Sequence, residues 1–243
     1  SPQSGQWVNH YTYSSQPEAY LFHAVVSIPD TVVPDGVSNI GLYVEGSDFI
    51  PHVGCEAYAD WSGYYWVVEQ SADAGETYNI LYISSPNSLP QTQDCTIVTN
   101  GSNYLRVYIG GNVVFSSTTM NLGMSAPFIA YFQGDTSSSS SMHYATYRNY
   151  YTTSDESITI TNNPTNAATA KIVSPSGQTL ASSSVASGTA TLNVGKYNFP
   201  LPATINVYDS NNSIIASSPA TIYGGDVYST DVPPSTVPQP GTT

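Results

Sequence analysis

FIPHVGCEAYADWSGYYWVVEQSADAG, residues 49–75, sets His52, Cys55, Glu56, Asp60, Glu69 and Asp73 among Tyr58, Trp61, Tyr64, Tyr65 and Trp66. A stretch of this composition reads either as an active site or as the wall of a β-sandwich. Its flanks decide between them. LFHAVVSIP (21–29) and NIGLYVEG (39–46) precede it as apolar strands, and YYWVVEQSA (64–72) and TYNILYISS (77–85) form a hairpin across DAGE. CTIVT (95–99), NYLRVYIG (103–110), NVVFSST (112–118), APFIAYFQ (126–133) and SITIT (157–161) follow. The Gly110-Gly111 pair is a tight-turn signal between two of them. Nine strands without a helical pattern predict a two-sheet sandwich of jelly-roll (concanavalin-like) type, in which the quoted stretch is a wall.

Composition agrees. The 243 residues include 20 tyrosines, and only 9% are charged. Val, Ile, Thr and Tyr dominate the ordered runs, as in all-β proteins. Seventeen acidic residues face four basic ones, Arg106, Arg148, Lys171 and Lys196. That balance excludes phosphate-backbone binding, which needs clustered cations, so no nucleic-acid partner is expected. It suits an acidic or a neutral extracellular setting: protonated carboxylates leave few positive charges to repel one another. Cys55 and Cys95 are read as one disulfide of a secreted protein, contributing roughly 3–4 kcal/mol. No apolar run is long enough to span a bilayer. Asn100-Gly-Ser and Asn211-Asn-Ser are glycosylation sequons.

Aromatics thin out after TNNPTN (161–166), which places a domain boundary there. The expected organisation is a terminal strand (1–14), the jelly roll (15–162), a smaller immunoglobulin-like sandwich (163–232) and a Pro/Thr-rich tail (233–243). The second sandwich is read from short alternating runs between turns at PSGQ, VGKYNFP and DSNNS. Trp7, Asn9, Tyr11 and Tyr13 alternate along the terminal segment and give a strand with one aromatic face. Such a strand completes its own sheet or is donated to a neighbouring copy.

The first unit, over residues 20–135, resembles the glutamic peptidases (eqolisins), which are acid-active jelly rolls. VVSIPDT (25–31) resembles that family's strand ending in Val-Pro, NIGLYVEG its Trp-x-Gly-Ile-Asp-Gly segment, and YYWVVEQSADAGETYNI (64–80) its aromatic strand and turn. The resemblance implies a glutamine and a glutamate that activate water. IPHVG (50–54) sets His52 at the glutamine position, and APFIAYF (126–132) offers Pro127 and Tyr131 where the glutamate is needed. The implied scaffold therefore lacks the peptidase pair, and no catalytic residue is assigned. The chain as a whole is similar in character to surface proteins and thread- or pilus-like filaments of acid-loving archaea, sharing their Tyr/Ser/Thr richness, scarce lysine and GlyGlyAspValTyr-type strand (224–228).

Other chemistries have candidate residues. Glu45, Glu56, Asp60 and Glu69 are candidates for a glycosidase-type carboxylate pair. Trp61, Tyr64, Trp66, Tyr147 and Tyr150 are candidate sugar-stacking aromatics. His10, His23, His52 and His143 show no metal spacing, and His23 reads as a core residue. Asp30, Asp35, Glu45 and Asp48 suit calcium chemically, but no loop carries a calcium motif, so no cofactor is expected. The expectation is a non-enzymatic, extracellular or cell-surface structural and adhesive protein. Its partners are copies of itself and surface glycans, with an acid hydrolase or a lectin as the alternatives.

Overall fold

A computed structural model describes residues 8–13, 19–28, 38–48, 50–60, 62–73, 77–88, 91–136 and 146–230. Among them there is no helix, and the chain is all-β. It divides into two compact units, Ser1–Thr152 and Thr153–Thr243.

The strands of the first unit are β1 (Val8–Tyr13), β2 (Leu21–Ile28), β3 (Ser38–Glu45), β4 (His52–Asp60), β5 (Gly63–Ser71), β6 (Asn79–Ile83), β7 (Gln91–Thr99), β8 (Leu105–Ile109), β9 (Asn112–Ser117), β10 (Ile129–Thr136) and β11 (Thr146–Thr153). They make a jelly-roll sandwich of two sheets, β1-β10-β3-β4-β5-β6 and β11-β2-β7-β8-β9. Alternation along each strand sets the core. Phe22, Ala24 and Val26 of β2, with Ile97 of β7 and Leu105 and Val107 of β8, point inward from one sheet, opposite Ile40, Leu42 and Val44 of β3 and Val53, Cys55 and Ala57 of β4 from the other. Cys55 on β4 and Cys95 on β7 are bonded through this core, joining the two sheets with their Cα atoms 6.1 Å apart.

Three strands of the sandwich were not among the nine expected. The quoted stretch itself supplies β4, antiparallel to β5 from His52↔Ser71 to Asp60↔Gly63. The tyrosine-rich segment near residue 148 is β11, where Asn149 adopts a positive φ of 52°. That left-handed residue interrupts the alternation, so Tyr147 and Tyr150 both pack on the core while Tyr151 stacks against His23. The terminal strand β1 pairs antiparallel with β10, from Val8↔Gly134 to Tyr13↔Ile129. The strand considered for donation thus pairs within its own sheet, as an edge strand beside β10. Trp7 lies outside the described residues, as do the side chains of Asn9, Tyr11 and Tyr13.

The second unit contains β12 (Ser157–Thr161), β13 (Ala167–Val173), β14 (Thr179–Ser184), β15 (Ala190–Asn193), β16 (Leu201–Asp209), β17 (Ile214–Ile222) and β18 (Val227–Ser229). Sheets β15-β12-β18 and β14-β13-β16-β17 form an immunoglobulin-like sandwich with Ile158, Ile160, Ile172, Leu192 and Val207 in its core. SITIT, expected in the first sandwich, is β12. It pairs antiparallel with β15 and parallel with β18, so the division falls ahead of it rather than at residue 162. The tail 233–243 lies outside the described residues.

Candidate functional site

Side chains that alternate with the core residues line the outer face of the six-stranded sheet. β3 places Asn39, Gly41, Tyr43 and Glu45 there, β4 His52, Gly54, Glu56, Tyr58 and Asp60, β5 Tyr65, Val67, Glu69 and Ser71, and β10 Ile129, Tyr131 and Gln133. The four carboxylates weighed as a pair, Glu45, Glu56, Asp60 and Glu69, therefore share one face, together with His52 and Tyr131. Two glycines make the arrangement fit. A Cβ on Gly41 would stand 2.5 Å from the Glu56 Cβ, and one on Gly54 would stand 2.7 Å from the Tyr43 ring and 3.1 Å from Glu69 Cγ. Their bare backbone lets Tyr43, Glu56 and Glu69 converge.

The Tyr43 hydroxyl donates to Glu56 Oε2 in a short hydrogen bond, and Glu69 lies diagonally across from Glu56 on the neighbouring strand. Glu56 is 1% exposed. Burial first, and then the negative charge of Glu69, push its carboxyl well above the usual carboxylate range, against the opposing effect of the Tyr43 bond. Glu56 therefore holds its proton where ordinary glutamates have lost theirs. Burial and the same two glutamates raise the Tyr43 hydroxyl as well. His52 Nε2 lies 3.7 Å from Glu69 Oε1, and its ring meets Tyr43 and the exposed Tyr78 edge to face. The Tyr43 ring stacks on Tyr131 at 5.4 Å.

At one end of this face, Glu45 is 5% exposed and is raised by burial, opposed by His52 and by a bond with Tyr131. Its Oε1 is buried with no hydrogen-bond partner among the described residues, and the same holds for Asn39 Oδ1 at the other end. Near Asn39 the face opens. Tyr58 and Tyr65 form a cross-strand pair, both half-buried. Tyr65 is oriented by a hydroxyl chain, 2.7 Å to Ser62 Oγ, which donates in turn to Asp60 Oδ1 at 2.5 Å.

The aromatics expected to bind a ligand do not gather here. Trp66 is buried in the core, Tyr147 and Tyr150 pack on Phe132 with centroids 4.0 and 5.4 Å away, and Tyr64 shares the inward parity of Trp66. Trp61 lies outside the described residues, as do Asp30, Asp35 and His143. Tyr58 and Tyr65, of the same aromatic hairpin, are the pair on the face. Counting strand parity from the inward-pointing Cys55 assigns Tyr58 correctly. Glu45 and Asp48 belong to no metal-holding cluster among the described residues. His23 is buried, accepts or donates at 2.8 Å with Thr96 Oγ1, and is pushed down to about 4 by desolvation.

The sequons differ. Asn100 Oδ1 accepts from the backbone amides of Ser102, Asn103 and Tyr104 at 3.0–3.1 Å, and its Nδ2 donates to Asn103 Oδ1 at 2.9 Å, so this side chain closes a turn. Asn211 is exposed in the β16–β17 turn.

No family model matches the sequence, and no curated protein does. Among solved structures, scytalido-glutamic peptidase with a transition-state analogue inhibitor aligns over 77% of this chain and 97% of its own, with 10% identity and a TM-score of 0.45. The carbohydrate-binding module CBM66 from Bacillus subtilis aligns over 63% and 97%, with 10% identity and a TM-score of 0.39. A tetrameric galectin from the ball sponge Cinachyrella sp. aligns over 60% and 99%, with 13% identity and a TM-score of 0.41. These are likenesses of fold alone.

Proposed function

We propose that the chain is an extracellular binding protein whose six-stranded sheet takes a hydroxyl-rich ligand, a glycan, on its outer face. The observation that carries this reading is the pairing of a half-buried aromatic platform with buried acceptors that have no donor among the described residues. Tyr58 and Tyr65 offer ring faces for the C–H surface of a sugar. Asn39 Oδ1 and Glu45 Oε1 are buried acceptors, and an unsatisfied buried acceptor costs about 1–3 kcal/mol. Sugar hydroxyls are donors that would satisfy them. Binding is favoured over catalysis because the Glu56 carboxyl is bound by Tyr43 and buried in the sheet face, leaving it no path to a substrate bond. Glycan-array screening and calorimetry at pH 4 and 7 test this. Tyr58→Ala and Tyr65→Ala are each expected to weaken binding roughly tenfold, about 1.4 kcal/mol, with the fold retained. An array without a hit, or variants that bind as wild type does, would end the reading.

A second observation supports self-assembly as the setting of that activity. Tyr78, Ile80 and Ile83 on or beside β6, Val113 on β9, Ile214 on β17 and Val227 on β18 are exposed, and all four strands are sheet edges. None of these strands carries a lysine or arginine, the usual guard of an open edge. In this reading copies join head to tail through such edges into an adhesive filament at the cell surface, with β1 retained in its own sheet. Electron microscopy and sedimentation at pH 4 check it. Assemblies that Ile80→Lys and Ile83→Lys disperse are expected, whereas wild-type monomers at every concentration would exclude it.

A further inference from the structure

The Glu56–Glu69–Tyr43 cluster is more than the polar lining a glycan site needs, because it places two buried carboxyl groups diagonally on neighbouring strands inside a sheet. We propose that this cluster is a proton-operated latch: one proton shared between Glu56 and Glu69 holds strands β3, β4 and β5 together on this face, and its loss releases them.

The geometry leaves few alternatives. Gly41↔Glu56 and Gly54↔Glu69 are cross-strand partners, so the two glutamates sit diagonally on neighbouring strands and meet over bare backbone. The titratable groups facing them are known from each strand packed around them: Tyr43 and Glu45 from β3, His52 and Tyr58 from β4, and Tyr131 from β10. From β11, the Tyr147 hydroxyl is pushed up by burial and by the charge of Glu56. No guanidinium or ammonium of the described residues joins them. Arg106 lies over Tyr104, Arg148 acts on Asp94, Lys171 lies over Tyr208, and Lys196 faces Glu156. A second negative charge on this pair therefore meets no guanidinium or ammonium, and the ring beside it is His52.

While Glu56 is protonated, it accepts from Tyr43 and has a proton to offer Glu69, so one proton serves both carboxyl groups. Once it ionises, two carboxylates oppose one another in a buried site, and like charges at that separation repel strongly. Tyr43 has one proton and can serve only one of them. The open direction is toward His52, already 3.7 Å from Glu69 and beside the exposed Tyr78. Glu69 swings that way, and the β4–β5 ladder behind it loosens. This inference rests on the proposed binding reading only for its consequence, a ligand face that is closed and ordered in acid and open at higher pH. The latch itself requires no ligand.

Amide hydrogen exchange on the full chain, followed from pH 4 to 8 and corrected for the intrinsic pH dependence, tests it without a ligand. Protection of the β4 and β5 amides around Glu56 and Glu69 is expected to fall roughly tenfold or more as Glu56 loses its proton, one pKa unit being a factor of ten. Glu56→Gln, which keeps a neutral donor and acceptor, is expected to abolish that fall. If Glu56→Gln does not fold, Glu69→Gln removes the same charge pair and is expected to give the same flat profile. A wild-type profile that is already flat, or a variant profile that matches the wild-type fall, overturns the latch. Because the readout contains no glycan, failure of glycan binding and failure of the latch are separate results.

Discussion

The double variant Cys55→Ala/Cys95→Ala is expected to lose about 4 kcal/mol of stability, with the midpoint of thermal unfolding of the first unit falling by about 10 °C. The bond closes a loop of 40 residues, and cross-linking such a loop removes that much conformational freedom from the unfolded chain. Its position adds to the case. β4 and β7 belong to opposite sheets, so the link spans the core rather than tying neighbours already held by a ladder. Guanidinium unfolding of the oxidised protein, the reduced protein and the double variant measures it. A loss below about 1 kcal/mol would mean that packing of Phe22, Leu42, Ile97 and Val107 alone fixes the sheets.

The second large effect belongs to Asp226 in the second unit. Burial raises its carboxyl from 3.8 to about 6, against hydrogen bonds from the Tyr228 hydroxyl at 2.8 Å and the Tyr223 amide at 3.2 Å. The native state thus binds this proton more tightly than the unfolded chain does. Its contribution to stability is complete below pH 3.8 and is lost as pH rises through about 6. That displacement is worth about 3 kcal/mol. Asp226→Asn keeps an acceptor for both donors and has no charge to bury. At pH 7 the variant is expected to be more stable by about 2–3 kcal/mol, and at pH 4 the advantage disappears. Urea unfolding at the two pH values decides, and an equal difference at both would show that titration of Asp226 is not the cause. His23 in the first unit has the opposite sign. Its pKa is lowered from 6.5 to about 4, so its contribution is complete above 6.5 and is lost as pH falls through 4. Acid therefore favours Asp226 and works against His23.

Much of the fold was legible because strand alternation and turn residues are local. Residues 21–29, 39–46 and 64–72 each yielded a strand within a residue of its observed bounds. β4 was harder to read because Gly54 and the outward carboxylates Glu56 and Asp60 mask its apolar half, Val53, Cys55, Ala57 and Ala59. β11 was missed because the left-handed Asn149 breaks its period. β12 was assigned to the wrong sandwich since its partners, β15 and β18, lie far ahead in the chain. The site was legible in kind and not in contact. Glu45, Glu56, Asp60 and Glu69 were recognised as candidates, yet the meeting of Glu56 with Glu69 depends on the β4–β5 register, which no local pattern encodes. Three consecutive aromatics, Tyr64 to Trp66, hide parity from the eye. Only Tyr65 faces outward with Tyr58.

The use of β1 within its own sheet also governs when the first unit can fold. Tyr11 pairs with Tyr131, 120 positions later, whereas the β16–β17 hairpin of the second unit pairs Tyr208 with Ile214. Contacts so distant in the chain must close long loops before any ladder rewards them, which slows folding and rules out completion during early synthesis. Until β10 has emerged from the ribosome, β3 has one unpaired edge and Tyr43 lacks the ring it stacks upon. A nascent chain halted before residue 129 would carry the glutamate pair on an unfinished sheet, and its exposed edge would be open to capture by other chains.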